Sequence, residues 1–198
     1  MIRIGRARTV LLVASEAMTT LVDFSDRSTA VLFGDGAGAV VVGGVASGGI
    51  RASRWGADGA EADLIYYGAP ADGSSTEDHL QMAGKGTFRS AVERLTALAV
   101  DLCADAGWSL DQVDHVVPHQ ANLRIVEAAA KRAGVPMEKV VFNGDRMGNT
   151  SAASIPLALA EADAAGRFRP GDRMLWVAFG AGATWGGVAL EWAMDAPG

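Results

Sequence analysis

Residues 113–136, VDHVVPHQANLRIVEAAAKRAGVP, constrain the fold more than any other part of the chain. A strand-length apolar segment ends in a proline, a histidine and two amides, and an amphipathic helix follows at once. The helix is expected from about Asn122 to Ala133, burying Val126, Ala129, Ala130 and Ala133, stopped by Gly134 and sealed off by Pro136. Upstream, Phe88, Val92, Leu95, Ala99, Leu102, Cys103 and Ala106 recur at helical spacing and Gly107 closes that helix in the left-handed position. Downstream, KVVFN (139–143) reads as a short strand and SAASIPLALAEADAAG as a helix perturbed by Pro156. RMLWVAFGAGATWGGVALEW then reads as a terminal hairpin around a glycine-rich turn. Towards the start, TVLLVA (9–14) predicts a buried strand, STAVLFGDGAGAVVVGG (28–44) a strand, a glycine turn and a strand, and IRASRWG a further strand. Residues 57–80, rich in Gly, Asp, Ser and Pro, predict a long loop. Strands alternating with helices, flanked by hairpins, make this an α/β chain with a mixed sheet.

The 198 residues suffice for one large domain or two small ones, and 49% hydrophobic residues can fill a substantial core. A formal charge of −6 argues against a nucleic-acid or anionic-membrane protein, so an anionic partner has to be met by a local basic patch. The single cysteine, Cys103, excludes an internal disulfide framework, and no Cys/His spacing makes a structural zinc site. TVLLVA follows basic residues but is too short for a signal sequence, and no run reaches membrane-spanning length. The cytoplasm is the expected compartment.

Four features invite a chemical reading. His115 and His119, four apart, would pair on a metal only in a helix. In a strand they stand roughly 13 Å apart, too far for one ion, so no metal is expected. FGDGAG has the glycines of a nucleotide loop, but AVVVGG follows as a strand where a helix N-terminus would be needed, which favours a tight turn. Cys103 lies on the apolar stripe of a helix and reads as a buried hydrophobe with a raised thiol pKa, not as a nucleophile. His119 ends a strand before a helix, and Asn149 lies in RMGNTSAAS, another strand-to-helix junction. Two such junctions at one end of a sheet can aim an imidazole N–H and an amide N–H at one carbonyl oxygen, as an enolate or oxyanion hole, although a structural hydrogen-bonded histidine would look the same.

DFSDRSTAVLFGDGAGAVVV, QMAGKGTFRSAVERL, VPHQANLRIVEAAAKRAGV, DRMGNTSAASIPLAL and FGAGATWGG, in that order, resemble the C-terminal half of beta-ketoacyl-ACP synthase III, a condensing enzyme of the thiolase-like superfamily. The resemblance implies the C-terminal half of an α-β-α-β-α sandwich. It implies decarboxylative Claisen condensation of an acyl-CoA primer with malonyl-ACP, initiating fatty acid synthesis, with no cofactor. By it His119 and Asn149 are the donors to the malonyl thioester carbonyl, and the backbone N–H of Ala181 serves the acyl oxyanion hole. Arg27 of DRST matches a contact to the CoA nucleotide end. Leu32, Phe33, Met82, Gly84, Ala121 and Asn122 match the pantetheine tunnel. Arg124, Lys131 and Arg132, on one side of a helix, resemble the basic patch that docks acidic carrier protein, and a solvated helix face is the alternative for them.

The family's nucleophilic cysteine belongs to a portion preceding the strand that TVLLVA resembles. Residues 1–90 are therefore expected to complete the first half of the fold and carry the loop excursion, and residues 91–198 to form the C-terminal catalytic domain. Alone, such a chain is expected to expose a large apolar face and to be inactive, as a truncation, a split-gene subunit or a half that only binds. Its expected partners are acyl carrier protein, acyl-CoA and either a second copy, as in the family's homodimers, or an N-terminal half supplied in trans. A non-catalytic CoA- or carrier-binding subunit and a polyketide-type homologue are the competing readings.

Overall fold

The computed structural model describes residues 1–73 and 75–194. A two-stranded antiparallel ribbon pairs β1 (Thr9–Ala17) with β2 (Asp35–Gly43). The central sheet has four strands, β3 (Gly49–Ala57), β8 (Thr184–Glu191), β7 (Arg173–Gly180) and β6 (His115–Pro118), in that spatial order, and only the β6–β7 pairing is parallel. The sheet is mixed, as the alternation of elements predicts. Because β3 pairs with β8, residues from both ends of the chain share it.

The long helix α1 (Gly84–Ala106) and α2 (Leu123–Ala133) cover one face. The two helices end at Gly107 and Gly134, each with φ +72°, a left-handed backbone that a side chain would strain. The helix α4 (Ser154–Ala164) covers the other face, and a single turn, α3 (Gly144–Met147), leads towards it. The alternation along β7 explains the layering. Leu175, Val177 and Phe179 enter the core with α1 and α2, while Met174 joins Ala158, Leu159 and Ala162 of α4. Beyond α4 lies the ribbon, so the layers run helices, sheet, helix, ribbon.

Several expectations need correction. The 9–14 run does form β1, but the strand is not buried: Leu11, Val13 and Val41 are 64%, 64% and 66% exposed. An apolar run of both parities asks for cover on both faces, and here the turn at residues 151–153 and α4 pack against the ribbon. Residues 28–33 form turns rather than a strand, and Gly36 and Gly38 sit inside β2, not in a tight turn. Their role is close approach. A Cβ on Gly38 would stand 2.6 Å from Pro156 Cβ, and one on Gly36 2.9 Å from Leu157 Cδ1. The loop expected over 57–80 contains a helical turn and a hairpin, β4 (Ile65–Gly68) with β5 (His79–Met82). Pro156 does not disturb α4, because it is the third residue, where the backbone N–H has no partner within the helix.

KVVFN is not a strand; one bridge, Val116 to Val140, is all that forms. The buried Gln120 side chain replaces the ladder beyond it. Its Nε2 donates to the carbonyls of Pro118 (2.6 Å) and Val141 (3.2 Å), and its Oε1 accepts from the Asn143 N–H at 2.9 Å.

Gly38→Ala should force ribbon and helix apart and destabilise the chain by about 1–3 kcal/mol, read as a lowered urea midpoint. An unchanged midpoint would mean that β2 does not rest on α4.

Candidate active site

At the end of the sheet where β6 gives way to α2, a cavity of about 400 Å³ opens between α1, the start of α2, the segment before β2 and the β7–β8 turn. His119 lines it, one residue past β6, its backbone N–H held by the Val177 carbonyl at 2.8 Å. Its Nδ1 lies 2.7 Å from Ser154 Oγ at the first turn of α4. Burial pushes the ring's pKa down to about 4, a shift that contact with the Ser151 backbone partly opposes, so the imidazole is neutral near pH 7.

Asn149 faces the same cavity. Its backbone is stitched to the segment before β2, with N–H to the Leu32 carbonyl at 2.8 Å and C=O to the Gly34 N–H at 3.0 Å. Its side-chain Oδ1 accepts the Ser151 N–H at 2.9 Å. With the oxygen so occupied, the amide nitrogen is the group left to donate. Ser151 holds φ +49°, a left-handed backbone that costs a non-glycine residue on the order of 1–3 kcal/mol. That strain sits at the residue whose N–H holds the Asn149 oxygen.

The cavity also brings together Leu32, Phe33, Met82, Gly84, Ala121 and Asn122, and Ala181 from the β7–β8 turn closes one end. Asn122 has a second task as N-cap of α2, its side chain accepting the Arg124 N–H at 2.9 Å. The two amides after His119 therefore both serve the backbone, Gln120 wholly and Asn122 in part. Arg27 does not line the cavity. It is exposed beside Ser28, which does, in a turn closed by Asp26; hydrogen bonds from Thr29 and Ser28 hold that carboxyl below its usual range.

Arg124 reaches the cavity, whereas Lys131 and Arg132 lie exposed further along α2. Arg132 shares an adjoining hollow with Lys85, Phe88 and Arg89, and its guanidinium lies 3.8 Å from Glu93. Cys103 takes no part. It is buried in the core on α1, and desolvation pushes its thiol pKa up. His115 pairs with Asp172 at 3.1 Å, away from the cavity, and the described residues include no cluster of three groups able to hold a metal.

Residues 1–59 match the family model for 3-oxoacyl-(acyl-carrier-protein) synthase III, and residues 103–192 match the model for its C-terminal region. The chain belongs to the 3-oxoacyl-ACP synthase III family. It is 50% identical over 198 residues to the beta-ketoacyl-ACP synthase III of Paracoccus denitrificans, an alignment covering 97% of this chain and 61% of that relative. The solved synthase III of Thermus thermophilus superposes with a TM-score of 0.90 at 46% identity, over 97% of this chain and 61% of the other. A priming beta-ketosynthase of a polyketide pathway superposes with a TM-score of 0.87 at 40% identity, over 98% and 59%. The fold is thiolase-like, and the chain spans about 60% of the length of the relatives it matches. No described helix is long and apolar enough to cross a membrane.

The sequence offered no sign of Ser154 at this site, since it reaches His119 through the tertiary placement of α4.

His119 should titrate near 4 rather than 6.5. The unfolded chain then binds this proton first, so the histidine's contribution to stability is whole above pH 6.5 and is lost as the pH falls towards 4. NMR titration of the ring measures this, and a midpoint near 6.5 would show a solvated imidazole.

Proposed function

We propose that this chain supplies the decarboxylation half of a beta-ketoacyl-ACP synthase III site, for condensation of an acyl-CoA primer with malonyl-ACP in the initiation of fatty acid synthesis. The observation that carries the reading is the pair His119 and Asn149. They share one cavity, and each has a side-chain atom tied to the first turns around α4, His119 by Nδ1 and Asn149 by its oxygen; the reading takes one N–H from each.

Both N–H groups donate to the carbonyl oxygen of the malonyl thioester. As the bond between the α-carbon and the carboxylate breaks, carbon dioxide leaves and the electron pair passes into an enolate whose oxygen these donors stabilise. The α-carbon then attacks an enzyme-bound acyl thioester, and the cysteine thiolate departs. The backbone N–H of Ala181 stabilises the oxyanion formed in that attack. Leu32, Phe33, Met82, Gly84, Ala121 and Asn122 hold the pantetheine arm, and Arg27 meets the nucleotide end of CoA. Arg124, Lys131 and Arg132 attract the acidic carrier protein, chiefly by speeding its encounter. No cofactor enters this chemistry, and the cytoplasm is its proposed setting.

The acyl-accepting thiol is the group this chain does not offer. Cys103, its single cysteine, is buried away from the cavity. We therefore assign the thiol to a segment outside this sequence, expect no turnover by the 198 residues alone, and expect the complemented protein to dimerise as the family does. Residues 1–90 and 91–198 are proposed as the end of the first half of the fold and the C-terminal catalytic domain.

With a co-expressed N-terminal half of a related synthase, condensation should appear, and His119→Ala or Asn149→Ala should lower its rate roughly 10² to 10³-fold. Turnover by the chain alone would overturn the assignment of the thiol. A mixture that folds and binds carrier protein but never turns over would make this a binding subunit. Charge reversal at Lys131 and Arg132 should weaken carrier-protein binding about tenfold at low ionic strength and less at high salt, measured by titration calorimetry.

A further inference from the structure

Ser154 opens α4 and is 2% exposed. Its Oγ lies 2.7 Å from His119 Nδ1 and receives the Gln120 backbone N–H at 3.3 Å. A hydroxyl has one proton to give and two lone pairs to offer. The Gln120 amide can only donate, so it takes a lone pair and leaves the hydroxyl proton to be placed. In a side chain this buried that proton needs an acceptor. Among the described residues, the hydrogen bonds of Ser154 Oγ run to Gln120 and His119 alone, which leaves Nδ1.

A neutral imidazole has one donor and one acceptor nitrogen, and the bond at one decides the proton at the other. We propose that Ser154 is a positioning residue that donates its hydroxyl proton to Nδ1 of His119 and so holds the ring in the tautomer protonated at Nε2. That nitrogen is the one Ser154 does not hold, on a ring that lines the cavity. The competing arrangement keeps the proton on Nδ1 and leaves Nε2 a lone pair that would repel an enolate oxygen. The catalytic consequence rests on the reading of His119 given above; the tautomer does not.

The test is two-bond proton–nitrogen NMR on the 198-residue chain with 15N-labelled histidine at pH 7. Wild type should show Nε2 protonated and Nδ1 bare. Ser154→Ala should lose this preference and Ser154→Thr should keep it. A wild-type ring protonated on Nδ1, or a folded Ser154→Ala chain with an unchanged Nε2–H ring, would overturn the proposal. If the alanine variant does not fold, the wild-type and threonine spectra decide. In the complemented enzyme Ser154→Ala should reduce kcat roughly tenfold to a hundredfold, less than loss of the donor itself, with KM for malonyl-ACP little changed. An Nε2–H ring in a chain whose His119→Ala variant still condenses would support the tautomer while removing the enolate reading.

Discussion

The structure depends on one close contact, the seating of α4 between the four-stranded sheet and the β1–β2 ribbon. Ala158, Leu159 and Ala162 of this helix are buried with Val117, Met174 and Leu190 of the sheet. On the ribbon side Gly36 and Gly38 let β2 approach to a distance no side chain would permit. A helix held on two faces cannot slide, and its first turn carries Ser154, with Ser151 and Asn149 just before it. The polar geometry of the cavity is thus fixed by apolar packing outside it.

From that placement the electrostatics follow. The turn before α4 offers Asn149 a backbone N–H and its start offers His119 a hydroxyl, so each side chain is held on its protein side. Burial keeps the imidazole neutral. Neutral N–H donors held in place suit an oxygen that gains negative charge, because they need no reorganisation to meet it. On the ribbon's far side, Leu11, Val13 and Val41 remain exposed, and the relatives are longer than this chain.

Much of this was legible along the chain. The α2 helix and its stop at Gly134 follow from local rules, as do Gly107, the terminal hairpin and the core position of Cys103. The places where local reading failed share a cause. KVVFN has strand composition but lies where the Gln120 amide satisfies the backbone, so no ladder is needed. FGDGAG looks like a turn because glycines are common in turns, yet here they answer to a helix more than a hundred residues away.

The sequence by itself determined the alternation of strands and helices, the polar junction at His119, and the exclusion of Cys103 as a surface thiol, because periodicity, capping and composition act over a few residues; Asn149 follows the single turn α3 and not the strand expected before it. Only the tertiary structure decided that the two junctions open into one cavity, that Gln120 is a backbone clip, and that Ser154 stands behind the imidazole. Those facts rest on contacts between segments 20 to 120 residues apart, and a contact of that kind leaves no period, cap or turn signature in either segment.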